Sequence, residues 1–325
     1  MILFHFFGVC MRHLSLLFVL LFFPIALFGG YSRVSGTWSP ERFAPVFSVQ
    51  EHYDLGTQEF HKQNWDEALT NFVVIVYHYA SSPFFQDALF YSAICYTHQN
   101  EYDIANKQFD RYLASGGKLK HFEKVFEYKL KIADQFSQGT KKHLFGIEKL
   151  PKWASAKGNA LGIYDEIVAA LPGKEIAAQA LYNKADLLRA KRQHRDSIEA
   201  LQVLSRRFPK HPLAAESFLR ISEIYLDQSR IESQNPDLIA LAQVNIQRFM
   251  KSFPADERVD TAKTNLLSMQ EVYAQSLYDT GRFYERKKKP NASAIYYEDA
   301  VRKYPETLAA AKSKGRLLKI RYKLR

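Results

Sequence analysis

Cysteine is almost missing from this 325-residue sequence: only Cys10 and Cys95 occur. The first lies within an apolar N-terminal run, so the body of the chain has no disulfide framework. Cys95, in "YSAICYTH", sits on an apolar helical face and reads as a buried structural thiol rather than a nucleophile. Glycine and proline are sparse, at 14 and 12 residues, and no low-complexity tract occurs. There is no Gly-rich phosphate loop, no nucleophile elbow and no paired-histidine metal motif. The 10 histidines, among them His52, His61, His78 and His98, are scattered without short ligand spacing. Acids such as Asp66-Glu67 and Glu298-Asp299 fall where exposed helix faces carry solvated carboxylates. No catalytic residue, metal or cofactor is expected. Convincing strand alternation is missing too, which argues against a sheet fold.

What is present is apolar and aromatic: 47% hydrophobic residues and 14% aromatic ones, ample for a buried core. From about residue 48, apolar residues recur at i, i+3, i+4 and i+7, so the body is expected to be all-α. Ahead of it, Arg12 and His13 precede "LSLLFVLLFFPIALF", a run of fifteen residues followed by "GGYSRVSG". A short basic region, such an apolar core and small residues after it read as a secretory signal. The run is shorter than the roughly 20 residues a spanning helix needs. Residues 1–30 are therefore expected to be a signal peptide or, with "ILFHFFGV" adding apolar length, a signal anchor. Met11 is a better signal start than Met1. Residues 31–47 are expected to be a linker, and the body to be exported.

Self-similarity decides the architecture. Take Ala68, Ala105, Ala160, Ser197, Ala242 and Ser293 as anchors. Four residues after each stands Phe72, Phe109, Tyr164, Leu201, Ile246 or Tyr297, and seven after stands Ile75, Tyr112, Ile167, Leu204, Phe249 or Ala300. Twelve after stands Ala80, Gly117, Pro172, Pro209, Pro254 or Pro305, all helix breakers except Ala80, which "SSP" follows. Twelve before, in four copies, stands Gly56, Ala93, Ala185 or Gly281. Two antiparallel helices approach closely only where both present a small residue, and the bulky residue one turn on fills the gap beside them. A lone pair cannot bury its apolar face, so the expected fold is a right-handed superhelical solenoid of about six helix pairs over residues 48–310. A basic helix or tail, 311–325, would follow. The anchor spacings of 37, 55, 37, 45 and 51 imply three insertions, and the longest gap contains "SQGTKKHLFGIEKLPKWASAKG", expected to be an exposed excursion.

"NWDEALTNFVVIVYHYASSP" and "EYDIANKQFDRYL" resemble tetratricopeptide repeats, with Trp65 and Tyr102 in the aromatic slot. "RFYERKKKPNASAIYYEDAVRKYPET" resembles the last repeat of BamD-like outer-membrane assembly lipoproteins, and "AAESFLRISEIYLDQSRIESQNPDLIALAQVNIQRFMKSFP" their insert-bearing repeat. The chain departs from that family in having no lipobox cysteine in "FGGYSRVSG" and about one extra repeat. What the resemblance implies is a non-enzymatic scaffold at the outer membrane of a double-membraned bacterium. The N-terminal repeats would hold unfolded outer-membrane protein segments, and the C-terminal repeats would dock the periplasmic domains of the assembly barrel. The missing lipobox favours an alternative, a periplasmic repeat scaffold of envelope or cell-division complexes. A cell-wall enzyme with a helical superhelix is disfavoured, because no residues are left for a catalytic domain.

Two sets of residues are candidates for binding. Tyr53, Thr57, Phe60, His61, Phe90, Thr97 and His98 fall on the first helices of the first two repeats, one residue past the small position, and are expected to line a peptide groove. The second set is basic. From Arg282 to Arg325 there are 14 basic and 4 acidic residues, a net of +10 in a chain of +11. Arg282, Arg286, Lys287, Lys288, Lys289, Lys319 and Arg321 are expected to dock an acidic partner or an anionic membrane surface. The bland reading of the same charge is a solvated end cap. The terminal helix, interrupted by Gly315, is expected to have no strong apolar face. Nucleic acid is not an expected partner of an exported chain.

Overall fold

The computed structural model describes residues 31–34, 37–40, 43–232 and 235–324. The expected signal over 1–30 lies outside them. The chain forms two compact units, divided between Asn159 and Ala160. Among the described residues there are thirteen α-helices and two short strand pairs, the build of an all-α helical-repeat solenoid. No described helix is long and apolar enough to cross a membrane.

The first unit opens with an antiparallel pair, β1 (Tyr31–Val34) and β2 (Thr37–Pro40). Five helices follow: α1 (Val49–His61), α2 (Trp65–His78), α3 (Phe85–His98), α4 (Tyr102–Ala114) and α5 (Phe122–Ser137). A two-residue pair, β3 (Lys141–Lys142) with β4 (Ala154–Ser155), brackets the long insertion. Ser48 starts α1 with a capping box: its hydroxyl accepts from the Glu51 amide while the Glu51 side chain accepts from the Ser48 amide. The second unit takes up α6 (Lys157–Ala170) from Ala160, then α7 (Glu175–Ala190), α8 (His194–Arg207), α9 (Pro212–Ile231), α10 (Asp237–Ser252), α11 (Arg258–Arg286), α12 (Pro290–Lys303) and α13 (Leu308–Leu324).

All six anchors are buried, together with the residues four and seven positions after them. The small partners twelve residues earlier explain why. A Cβ placed on Gly56 would stand 2.9 Å from the Phe72 ring, and one on Gly281 2.6 Å from the Tyr297 ring. Where the anchor is serine, its hydroxyl is satisfied across the same gap. Ser197 Oγ donates to the Ala185 carbonyl at 2.7 Å, and Ser293 Oγ to the Gly281 carbonyl at 2.9 Å. A buried hydroxyl without such an acceptor would oppose the close approach.

The tight turns inside four pairs share one geometry. Gln63, Asn100, Arg192 and Lys288, each five residues before its anchor, have φ between 57° and 61°. In each turn the next amide reaches back to the carbonyl five residues earlier, as in Asn64 to Glu59 and Lys289 to Tyr284. This is the Schellman closure of a helix end, made here without glycine.

The insertions are absorbed in different ways. α11 runs for 29 residues because it serves two pairs. Its middle buries Met269, Tyr273 and Ala274 with the core of α9 and α10, and its last turns carry Gly281 against α12. The excursion after α5 differs from the expectation of a wholly exposed loop, because its root is docked. His143 is buried, with Nδ1 and its own amide both 3.0 Å from the Asp103 carboxylate. Lys152 donates to Glu101 at 2.7 Å and to the Asn100 carbonyl at 3.1 Å.

The terminal helix also differs from expectation. α13 does have an apolar face: Ala309, Ala310, Leu317 and Ile320 are buried, the last two in a cluster with Tyr297. Gly315 lies on the exposed side, where the helix passes through it without a break. Small residues hid this face from the periodicity, since alanine contributes little apolar contrast.

Candidate functional site

The faces carried by the first helices of the pairs bring aromatic and charged side chains together across neighbouring helices. In the first unit Tyr53, Asp87 and His121 line up from α1 through α3 to the start of α5, each 34 residues after the last. Tyr53 donates to the Asp87 carboxylate at 3.3 Å, and His121 Nε2 lies 3.5 Å from its other oxygen. The Tyr53 ring stacks on Phe84 at 4.5 Å. Burial, with the Asp87 charge adding, pushes the Tyr53 hydroxyl up to about 12. Burial also lowers the His121 imidazole, against the pull of Asp87.

At the other end of α1 a second cluster forms. Phe60 is half-buried and meets Trp65 edge-on at 5.3 Å and Tyr91 at 5.0 Å. The exposed His98 lies flat on Trp65, with ring centroids 4.0 Å apart at 3°. Desolvation there lowers its pKa, and Lys131 adds to the effect. His61 is exposed beside Phe60. Thus Phe60, His61 and His98 come together, and Tyr53 belongs to the separate Asp87 cluster. Thr57 and Thr97 spend their hydroxyls on their own helices, each donating at 2.8 Å to the carbonyl four residues back. Phe90 is buried, stacked on His121 at 4.1 Å and packed on Phe109 and Tyr112. It is core and offers no surface.

The equivalent face of the second unit is ionic. Across α7 and α9, Arg189 bonds Glu223 and Asp227, both at 2.7 Å. Arg220 lies 3.5 Å from Asp186, donates to the Tyr182 hydroxyl at 2.6 Å and reaches Glu223 at 3.1 Å. Arg258, at the start of α11, joins Glu216 at 3.1 Å and Asp256 at 2.7 Å. These side chains are half-open rather than sealed. Burial raises the Asp186 carboxyl although both arginines oppose it. Sequence reasoning missed this ladder and also Asp87, Tyr91 and His121. The signal was there as opposite charges 34 residues apart: Asp186 with Arg220, and Arg189 with Glu223.

The basic residues divide into two kinds. Arg316 pairs with Glu285 at 3.5 Å, Arg321 with Glu298 at 3.0 Å, and Arg302 and Lys303 with Asp299. Arg282 is half-buried, 3.4 Å from the Tyr278 hydroxyl. By contrast Arg286, Lys287, Lys288 and Lys289 form the exposed turn between α11 and α12, with Lys287 over the Phe283 ring. Lys312, Lys314 and Lys319 are exposed on α13. Among the described residues, the exposed basic charge outside these pairs is therefore at that turn and on the outer side of the last helix.

One mixed cluster, Glu101, Asp103 and His143, brings possible ligand atoms within 4.8 Å of one another. The Lys152 ammonium already occupies Glu101, and the His143 ring lies between the two carboxylates. That arrangement suits a clamp holding the excursion to the start of α4.

Two of the helix pairs match the tetratricopeptide repeat model, at residues 87–115 and 179–211. No curated protein matches the chain. Among solved structures it is similar to MamA, from residue 41 on, of Desulfovibrio magneticus RS-1, at 16% identity over 64% of this chain and 97% of that one, TM-score 0.36. It is similar also to YrrB, described as a TPR protein with an unusual peptide-binding site, at 13% identity over 67% of this chain and 92% of that one, TM-score 0.37. A repeat protein of Parabacteroides merdae aligns over 84% of this chain and 98% of its own at 12% identity, TM-score 0.37. The matched segments are the pairs α3–α4 and α7–α8, which the small-residue frame had already joined: these two pairs match tetratricopeptide repeats.

Proposed function

We propose that this is an exported, non-enzymatic scaffold of outer-membrane protein assembly, acting in the periplasm and peripheral to the outer membrane. Tetratricopeptide repeats are protein-interaction modules. The observation that carries the reading is the 34-residue alignment of half-open aromatic and charged side chains along the first helices, because such a row matches an extended peptide laid across successive helices. The open aromatic end of the first unit, Phe60 with Trp65 and His98, would take apolar side chains of unfolded outer-membrane protein segments. The exposed lysines of the α11–α12 turn and of α13 would dock an acidic surface of the assembly barrel's periplasmic domains. No bond is made or broken in this role. The finer assignment is supported by the BamD-like stretches at 214–254 and 282–307, and the export by the apolar run near the N-terminus.

The same surfaces would serve a scaffold of envelope or division complexes, a reading that the missing lipobox cysteine favours. Affinity capture from native membranes separates the two by the partner recovered. Capture of a barrel-assembly protein, weakening steeply with salt, is the expected result, since exposed charges are screened within about 8 Å at physiological ionic strength. Replacing Arg286, Lys287, Lys288, Lys289, Lys312, Lys314 and Lys319 by Ala should abolish it while client-segment binding persists. Phe60→Ala with His98→Ala should do the reverse, weakening client binding about tenfold. Salt-independent capture that survives the lysine changes would reduce the basic end to a solvated cap.

A further inference from the structure

The excursion between β3 and β4 ends in three large apolar side chains turned to solvent. Phe145 is 89% exposed, Trp153 72% and Ile147 51%, all within one nine-residue span. A concentration of large exposed apolar side chains in so short a span marks an interaction surface. The backbone of the loop closes on itself, with the Leu144 amide bonded to the Pro151 carbonyl, Gly146 to His143, and Leu150 to Ile147. Its root is held by His143 on Asp103 and Lys152 on Glu101. Phe145 has φ 56°, a left-handed conformation that an aromatic residue rarely takes, and its ring is exposed.

The charge around this tip says what covers it. "KKHLFGIEKLPKWASAK", residues 141–157, holds five lysines and a single acid, Glu148. Lysine is depleted from the cores of protein–protein interfaces, whereas a lipid interface favours aromatic rings with lysines beside them. We infer that the 144–153 tip is a membrane-surface wedge: Phe145, Ile147 and Trp153 enter the headgroup–acyl boundary of an anionic bilayer, and the exposed Lys141 and Lys157 at its base meet the lipid phosphates. The wedge belongs to the first unit, and its lipid contact does not depend on which protein partner the scaffold has. It lies on the surface of a bilayer and does not span it.

The test follows Trp153 in the full chain, so that binding through other segments does not count. Its emission is isolated as the difference between the chain and its Trp153→Phe variant. Vesicles of phosphatidylglycerol and phosphatidylethanolamine should shift that emission to the blue, and brominated acyl chains should quench it. Phosphatidylcholine vesicles at the same concentration should do neither. Phe145→Gln with Ile147→Gln changes only exposed side chains and should cut the quenching about tenfold while leaving the circular dichroism unchanged. Unshifted Trp153 emission with the anionic vesicles overturns the inference. So does an equal shift with phosphatidylcholine, quenching that survives the double change, or protection of Trp153 by a protein partner without lipid.

Discussion

The most direct challenge to the packing frame is a single methyl group at Gly281. An ideal Cβ there stands 2.6 Å from Cε1, 2.8 Å from Cδ1 and 3.0 Å from Cζ of Tyr297. The ring has nowhere to go: it is fully buried, packs on Tyr278 at 5.7 Å, and its hydroxyl is tied to Glu285 at 2.9 Å. Overpacking a core costs about 1–3 kcal/mol, and contact with three rigid ring atoms belongs at the upper end. Against this, alanine inside a helix is better than glycine by about 1 kcal/mol. Gly281→Ala should therefore destabilise by roughly 2 kcal/mol net. Gly315→Ala is the control. It has the same helical setting but open space around it, so it should stabilise by about 1 kcal/mol. The two substitutions must move the urea midpoint in opposite directions. Because stacked repeats need not unfold in one step, amide exchange in α11 and α12 gives the local reading. A stabilised Gly281→Ala would refute the close approach of α11 and α12.

Other outcomes follow from the turns and the thiol. Arg192 and Gln63 adopt φ near 60°, where a β-carbon is strained, so Arg192→Gly and Gln63→Gly should each raise the urea midpoint by up to ~1 kcal/mol of stability. Asn100→Gly should gain least, since asparagine tolerates this region best. Cys95 is buried and its thiol is pushed up to about 12 by desolvation. Mass spectrometry of its peptide should show no maleimide at pH 8 in the folded chain and full labelling in urea. The sign of the linkage is fixed: its contribution to stability is complete below the ordinary thiol value of 9.0 and is lost as pH rises towards 12.

The frame of the fold was legible because it depends on size alone. A small residue, a bulky one four later and another seven later are visible in any copy, and each of the eighteen positions proved buried. The left-handed turns were not legible. Glutamine, arginine and lysine carry no signal for positive φ, asparagine alone carries a weak one, and tertiary packing of the two helices overrides their preference. The root of the excursion was hidden for another reason. His143 and Asp103 are 40 residues apart, and nothing local marks them as partners.

The binding face was misjudged at Phe90 for a reason that can be stated from the repeat itself. Successive anchors in the first unit are 37 residues apart, which makes Phe90 the counterpart of Tyr53, Thr97 of Phe60 and His98 of His61. Contact between neighbouring first helices does not follow that spacing. Side chains on a helix lean towards its N-terminus, and the helices are offset, so Tyr53 meets Asp87, nearly one turn before its counterpart. The same offset of 34 joins Asp186 to Arg220 and Arg189 to Glu223 in the second unit, although the anchors there are 45 apart. The extra length enters after the contacting stretch of α9, which extends to Ile231. An insertion at that end therefore leaves these contacts between first helices intact. The spacing of small residues sets how helices pair, and the offset of 34 sets which side chains of neighbouring first helices meet.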